Sequence, residues 1–325
     1  MASTESDAKT EFTAVENGET KANLTVLRQQ LVSAKRIFSE RLLKSFHGDR
    51  SDDRTTRLYH VWPGNNVFFC GGRLVCGPDP RGLVLTTMAV VMSSWSFAAY
   101  VANDDVSRDS SVKIICCVIL TFIVLVNLGV VSTIDPGIIP RSDRPLVEST
   151  TEEVEVEVEG IKVRLKYCRI CNIYQTPRSH HCLVCDNCVE KFDRHCPLIG
   201  QCIGLRNYRL YVLFLFMALV FFAYICAFSL QKLGHKMAQN DVDLIVTFAL
   251  ASFSIGATLL LGVLTCYNLY LIAINQTSCE NILQYYASSQ NPYDKGILSN
   301  FMEALRWSTP PPKVDFRSEV IYDQV

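Results

Sequence analysis

The chain of 325 residues lacks a net charge of either sign: 31 Lys and Arg stand against 32 Asp and Glu. That argues against a nucleic-acid binder working through bulk positive charge, because such binding draws on neutralised phosphates. The chain also lacks an apolar core near its start. The stretch MASTESDAKTEFTAVENGETKANLTV is polar, so no secretory signal is expected, and disorder is expected through about residue 22. The most informative absence is local. Charge nearly vanishes from four long runs, and the mean hydropathy is positive.

Those runs are Gly82–Ala102, Ile114–Ile134, Tyr208–Leu230 and a stretch within Leu244–Ile274. Each is long enough to span a bilayer, which takes roughly 20 residues. Four of them are hard to hide as core helices of a soluble fold. The fourth region is longer than needed, so either it tilts or only its later part spans. The connections 103–112 and 231–243 carry few basic residues. Most Lys and Arg fall in 1–81, 135–206 and 275–325, which the positive-inside rule assigns, with both termini, to the cytosol. The glycosylation patterns at Asn23 and Asn275 are discounted on that topology.

The chain divides into five regions. Residues 1–56 form a polar cytosolic N-terminus. Within 24–46, Leu27, Leu31, Ala34, Phe38 and Leu42 recur at helical spacing among basic residues. This basic amphipathic helix reads equally as a membrane-surface anchor or as a helix packing on the protein itself or a partner. Residues 57–134 hold a turn-rich juxtamembrane segment and the first two spans. Cys70 and Cys76 there read as acylation sites or as packed thiols. Residues 135–206 form the large loop, 207–274 the last two spans and 275–325 the tail. In the tail, Ile282 to Tyr286 and Ile297 to Arg306 are expected to be helical, separated by Asn291-Pro292.

In the large loop, EEVEVEVEGIKVRLKYC alternates with period two on both sides of Gly160. A two-residue turn at Glu159-Gly160 fixes a hairpin register. Val158 then faces Ile161, Val156 faces Val163 and Val154 faces Leu165. Glu157 meets Lys162 and Glu155 meets Arg164. Such pairs contribute about 0.2–1 kcal/mol each. The competing reading is a disordered acidic tract.

The hairpin is expected to lead into a cluster of cysteine and histidine: Cys168, Cys171, His180, His181, Cys182, Cys185, Cys188, His195, Cys196 and Cys202. Disulfides are disfavoured in a reducing cytosol. Repeated C-x2-C with His signals structural zinc, which takes four ligands tetrahedrally. Two zinc ions need eight ligands. Seven Cys and three His offer ten, so one Cys and one further His are left over if six Cys and two His bind.

With this cluster the sequence resembles the DHHC protein S-acyltransferases (palmitoyltransferases), and its style is similar to their plant branch. The resemblance covers about residues 57 to 317. It rests on the four spans with a cysteine-rich loop between the second and third, on Asp135-Pro136-Gly137 after the second span, and on Thr277-Ser278-Cys279-Glu280 after the fourth. It rests also on Asn291-Pro292-Tyr293 through Asn300. The resemblance implies an α-helical polytopic membrane protein: four transmembrane helices with a cytosolic two-zinc domain of small β-hairpins. It assigns Cys168, Cys171, His181 and Cys188 to one zinc and Cys182, Cys185, His195 and Cys202 to the other. It makes Cys196 the nucleophile that takes a fatty acyl group from acyl-CoA (palmitoyl-CoA) and passes it to cysteines of membrane-associated substrate proteins. A thiolate attacks a thioester well, and the product is again a thioester. It also implies that Thr277 and Ser278 bond toward Asp193, with helix-terminal capping a compatible reading, and that Asp135 and Asn207 support the core, Asp135 reading otherwise as the stop of the second helix. Plasma membrane and Golgi or other endomembranes are both open, and no ankyrin repeat is present to recruit substrates.

The sequence departs from the family motif Asp-His-His-Cys at one position: it reads Asp193-Arg194-His195-Cys196. The family's general base is replaced by Arg194, which stays protonated and has no acceptor site. Arg194 can favour a thiolate as a neighbouring cation. Losing a positioned base typically costs about 10²–10⁴-fold. Three readings remain open: a working S-acyltransferase that tolerates Arg194, a weakened pseudoenzyme or scaffold of the same family, and a zinc-binding membrane adaptor outside it. His180 is a candidate replacement base or an ordinary surface histidine. Asn207 and Tyr211 resemble the family's tail after the cluster, Tyr208 and Tyr211 reading equally as interfacial anchors. Arg206 and Arg209 read as candidate contacts for CoA phosphates or as residues placed by the positive-inside bias alone.

Overall fold

The computed structural model describes residues 55–102, 108–142, 154–236, 242–306 and 309–321. The polar start and the amphipathic helix expected at 24–46 lie outside them. The chain divides into Met1–Thr55 and Thr56–Val325, and the second unit holds the helices and the cysteine-rich region.

Four helices are long and apolar enough to cross a membrane: α1 (Arg81–Ala102), α2 (Arg108–Thr133), α3 (Tyr208–Lys236) and α4 (Val242–Ala273). With lipid around them, only a helix satisfies every backbone N–H and C=O within the segment. Their outward faces carry Leu85, Trp95, Phe122, Leu259 and Val263, all well exposed, which suits hydrocarbon and not water. The inward faces of all four helices share one core that includes Val90, Phe97, Val124, Leu128, Phe214, Leu215, Phe221, Ile225 and Leu261. Thr121 donates to Ser94 Oγ at 2.8 Å, and Ser94 lies 3.7 Å from Cys117 Sγ, tying α1 to α2. The helices outrun the expected spans: α2 starts at Arg108, ahead of Ile114, and α3 continues past Leu230 to Lys236. Polar residues at a helix end keep the backbone ladder while leaving the lipid. Helix α4 is continuous for 32 residues, about 48 Å at 1.5 Å per residue, so its length favours tilt over a half-span.

The remainder is built from small antiparallel hairpins. Arg57 in β1 (Thr55–Arg57) reaches Glu319 in β12 (Glu319–Ile321) at 3.7 Å. The turn-rich 57–82 segment folds into a hairpin of β2 (Val67–Phe69) and β3 (Leu74–Cys76). Cys70 at its tip is exposed and Cys76 is half-buried. The Glu/Val hairpin, β4 (Glu155–Val158) with β5 (Ile161–Arg164), has the expected register at Val158↔Ile161, Val156↔Val163, Glu157↔Lys162 and Glu155↔Arg164. Leu165 N donates to Val154 O, which carries the pairing one step further. Glu159 and Gly160 both have positive φ, 47° and 79°, the backbone twist that two-residue hairpin turns need. One ionic contact in the hairpin is diagonal: Lys162 Nζ lies 3.9 Å from Glu155.

Three more hairpins complete the loop: β6 (Tyr167–Cys168) with β7 (Ile173–Tyr174), β8 (His180–Cys182) with β9 (Asn187–Val189), and β10 (Arg194–Cys196) with β11 (Gln201–Ile203). In the tail, the helix expected at Ile282 to Tyr286 is displaced. Helix α5 runs Ser278–Ile282, because Thr277 and Glu280 form a reciprocal capping box that starts it early. Gln284, at φ 51°, stops the helix from continuing to Tyr286. Helix α6 (Ile297–Leu305) matches expectation, with Arg306 as its C-cap.

Candidate active site

The cysteine-rich region brings its ligands together in two groups, Cys168, Cys171, His181 and Cys188, and Cys182, Cys185, His195 and Cys202. His181 Nδ1 lies 3.6, 3.4 and 3.7 Å from the three sulfurs of its group. His195 Nδ1 lies 3.8, 3.4 and 3.6 Å from those of the other. A tetrahedral zinc with bonds of about 2.3 Å to sulfur and 2.0 Å to nitrogen sets ligand separations of roughly 3.5–3.8 Å. Both groups therefore fit zinc. His181 Nε2 stands 3.3 Å from Asp186, whose carboxylate also pairs with Arg141 at 3.0 Å. A carboxylate behind a ligand histidine fixes its ring and tautomer. The groups interleave: strand β8 gives His181 to one and Cys182 to the other.

Cys196, the last residue of β10, belongs to neither group. The turn after it, Pro197 to Gly200, closes with Gly200 N donating to Cys196 O at 2.9 Å. This turn is pressed against the start of α1. Gly82 faces the Pro197 carbonyl and Gly77 faces the Gly200 carbonyl so closely that neither has room for a Cβ. Thr86 Oγ1 donates to Leu198 O at 2.8 Å. Gln201 Nε2 donates to Val75 O at 2.6 Å. The result is a thiol only 5% exposed, packed in the same apolar cluster as Ile199, Ile203, Tyr211, Phe214 and Leu215. Burial pushes the Cys196 thiol above its ordinary pKa, while the Ile199 and Leu198 amides and the Arg194 charge pull it down. The net direction is up, so at neutral pH the resting group is the thiol.

Asp193 is 1% exposed and fully engaged. It accepts from Ser278 N at 2.7 Å, Ser278 Oγ at 3.1 Å and Arg194 Nε at 2.8 Å. Arg194 also donates to Asn268 Oδ1 of α4 at 3.2 Å. Its guanidinium carbon lies 5.6 Å from the Tyr211 ring and 5.9 Å from the Tyr267 ring, within cation–π reach. The cation is thus held between β10, α3 and α4, close enough to Cys196 for its charge to be felt there. Of the two residues expected to reach Asp193, only Ser278 does. Thr277 accepts from Glu280 N at 3.2 Å as a helix cap.

The supporting residues are placed by simple bonding. Asp135 accepts from Gly137 N and Ile138 N at 3.0 and 2.9 Å and pairs with Arg206 at 2.6 Å. It organises the turn after α2, and it occupies Arg206 in the fold, not at a phosphate. Asn207 accepts from Gly204 N and donates to Cys202 O, locking β11 onto the start of α3. Tyr211 is 2% exposed, so it is core and not an interfacial anchor. His180 stacks 5.5 Å from Phe192 and lines a cavity of about 330 Å³ with Lys166, Cys279 and Tyr285. Cys196 is not part of that lining.

Sequence reasoning missed Arg178, Asn268 and Asn275. Arg178 forks onto Glu280 with two 2.8 Å bonds, both side chains nearly fully buried. It also donates to Asn275 Oδ1 and O at 3.0 Å and lies 4.4 Å from the Tyr293 ring. Asn300 donates to Ala273 O at 2.8 Å, so the 291–300 element docks on the end of α4. An acidic residue in an otherwise uncharged stretch, Glu280, was the available signal that a distant base must exist.

Together these features define a multi-pass membrane protein whose cysteine-rich module, built around two metal-ligand groups, seats an unliganded thiol against the helix bundle. Comparison with known proteins agrees. Residues 161–285 match the family model described as DHHC palmitoyltransferase. The chain is 37% identical over 287 residues to Probable protein S-acyltransferase 1 of Arabidopsis thaliana, covering 80% of this chain and 85% of that protein. It is 37% identical to Probable protein S-acyltransferase 6 over 82% of this chain and 72% of the relative. It is 34% identical to Protein S-acyltransferase 8 over 81% and 72%, both relatives again from Arabidopsis thaliana. The chain belongs to the DHHC palmitoyltransferase family.

Proposed function

We propose that this chain is a protein S-acyltransferase in which Cys196 carries the acyl group. The observation that carries the reading is the position of Cys196: outside both metal-ligand groups and inside the apolar core of the bundle. In the first step Cys196 Sγ attacks the thioester carbonyl of palmitoyl-CoA. A new C–S bond forms, the C–S bond to CoA breaks, and CoA leaves as its thiol. In the second step the thiol of a substrate cysteine attacks the Cys196 thioester and regenerates the free thiol. Thioester replaces thioester each time, so neither step needs an external driving force. The apolar surroundings suit the chain, at about 0.8 kcal/mol per buried CH₂.

Arg194 cannot accept the Cys196 proton. Its part is electrostatic: it favours the thiolate and the developing oxyanion, while Asp193, Asn268 and two tyrosine rings hold it in place. The proton passes to solvent or to the departing CoA sulfur. Two zinc ions, held by the two Cys/His groups, supply structure and set the position of β10. The 135–206 and 275–325 regions hold many more Lys and Arg than the 103–112 and 231–243 connections, which supports placing them in the cytosol, where CoA is available. Arg164 and Lys166 line the cavity beside His180 and supply cationic groups for CoA phosphates. Proteins with cysteines near the membrane surface are the substrates this geometry reaches.

The test is incorporation of label from palmitoyl-CoA into the purified protein. The wild type is expected to gain a hydroxylamine-labile adduct, and Cys196→Ser is expected to gain none. Equal labelling of the two would exclude Cys196 as the carrier.

A further inference from the structure

At the polar end of the bundle a second cavity, of about 210 Å³, lies between the start of α3, the end of α4 and α6. Its charged lining is Lys191, Arg209, Arg306 and Glu303. Lys191 Nζ stands 3.6 Å from Glu303. Arg209 and Arg306 have no carboxylate within ion-pair distance among the described residues, yet they lie near enough to repel one another. Three positive charges against one negative leave an excess of two. Burial and the nearby Arg178 charge also depress the Lys191 pKa, so the cavity already disfavours its own cations when empty of an anion.

The surroundings indicate where that anion comes from. Leu271 and Ile272, from the last turn of α4, form an apolar part of the wall. Helix α6 presents Ile297, Leu298, Met302 and Leu305 outward, each more than half exposed, while Asn300 on its other side is 2% exposed. An apolar stripe of this kind beside the ends of membrane helices rests at the boundary of headgroups and acyl chains. The cavity therefore sits at the level of the lipid phosphates.

We propose that this cavity binds the dianionic phosphomonoester headgroup of a membrane phospholipid. Guanidinium groups suit such a phosphate through paired, charge-assisted hydrogen bonds. The excess of two charges selects a phosphomonoester over a singly charged diester. The site is separate from Cys196, and binding there needs no acyl transfer.

The experiment is native mass spectrometry of the full-length protein in detergent. The probes are dioctanoyl phosphatidic acid, dioctanoyl phosphatidylcholine, inorganic phosphate and CoA. Phosphatidic acid is expected to bind as a single molecule, at least about tenfold more tightly than the choline lipid, a gap of ~1.4 kcal/mol. The Arg209→Gln/Arg306→Gln double variant is expected to bind it about tenfold more weakly. Glu303→Gln is expected to bind it more tightly, because the competing carboxylate is gone. Retention of metal in both variants shows that the fold survives. Unchanged affinity in the double variant together with no gain in Glu303→Gln overturns the proposal. So does binding of inorganic phosphate or CoA as tight as that of the lipid and lost in the double variant, which would reassign the site to a soluble phosphate.

Discussion

Stripping metal from the purified protein with a strong chelator is expected to unfold the cysteine-rich region while the four apolar helices persist. The reason is the small size of its hairpins. Strands of two or three residues cannot hold a fold by backbone pairing alone. Outside the ligand cysteines, few large apolar residues are fully buried there. A structural zinc contributes about 10–16 kcal/mol in small peptides at neutral pH, far more than any single contact in this region. Because His181 and Cys182 are adjacent on β8 but serve different groups, losing one site disturbs the other. Cys185→Ala is therefore expected to release more than one metal ion per chain and to abolish acyl-enzyme formation, although Cys185 does not touch the reacting atoms. Metal content by plasma mass spectrometry, with far-UV circular dichroism, checks this. Full acylation in the metal-free protein would contradict it.

The second large effect is expected at Arg178. Its side chain is 6% exposed and that of Glu280 is 4% exposed. Arg178→Ala leaves Glu280 buried without its counter-charge, at a cost of about 3–5 kcal/mol. The loss spreads to Asn275, Tyr293 and the capping box of α5, and through Ser278 to Asp193. Thermal stability followed by size-exclusion chromatography is expected to fall sharply. Arg178→Lys keeps the charge and loses the fork, so an intermediate loss is expected. Arg178→Met combined with Glu280→Leu is expected to be less damaging than Arg178→Ala alone, because no buried charge is stranded. A double variant as unstable as the sum of its single variants would show that the pair is not coupled.

The metal-ligand groups were legible in the sequence because Cys and His spacing within one loop reports directly on ligation, and the family resemblance resolved the partition. The Glu/Val hairpin was legible because alternation around Gly160 leaves one register that pairs valine with valine and acid with base. The spans were legible because charge is missing from them, but their ends were not: Lys236 and Arg108 are polar residues that continue a helix beyond the lipid. Arg178 and Glu280, 102 positions apart, were out of reach, since neither periodicity nor local spacing connects them. Asn268 was hidden for a similar reason. A lone asparagine in an apolar run tells nothing of the arginine it meets across the bundle. The start of α5 was misplaced although capping at Thr277 and Ser278 was one of the readings, because the reciprocal partner Glu280 was not read together with Thr277.

The central claim is that Cys196 carries and transfers the acyl group beside a fixed cation that cannot move a proton. Its most direct test is transfer of labelled palmitate from palmitoyl-CoA to a cysteine-containing acceptor peptide, with wild type beside Arg194→His. Wild type is expected to transfer the label. Arg194→His is expected to transfer it faster, by up to about 10²-fold, because the variant regains a group that can accept and return a proton. If the wild type forms no Cys196 thioester and passes nothing on while Arg194→His does both, the claim fails for the native protein. Its role would then lie in binding.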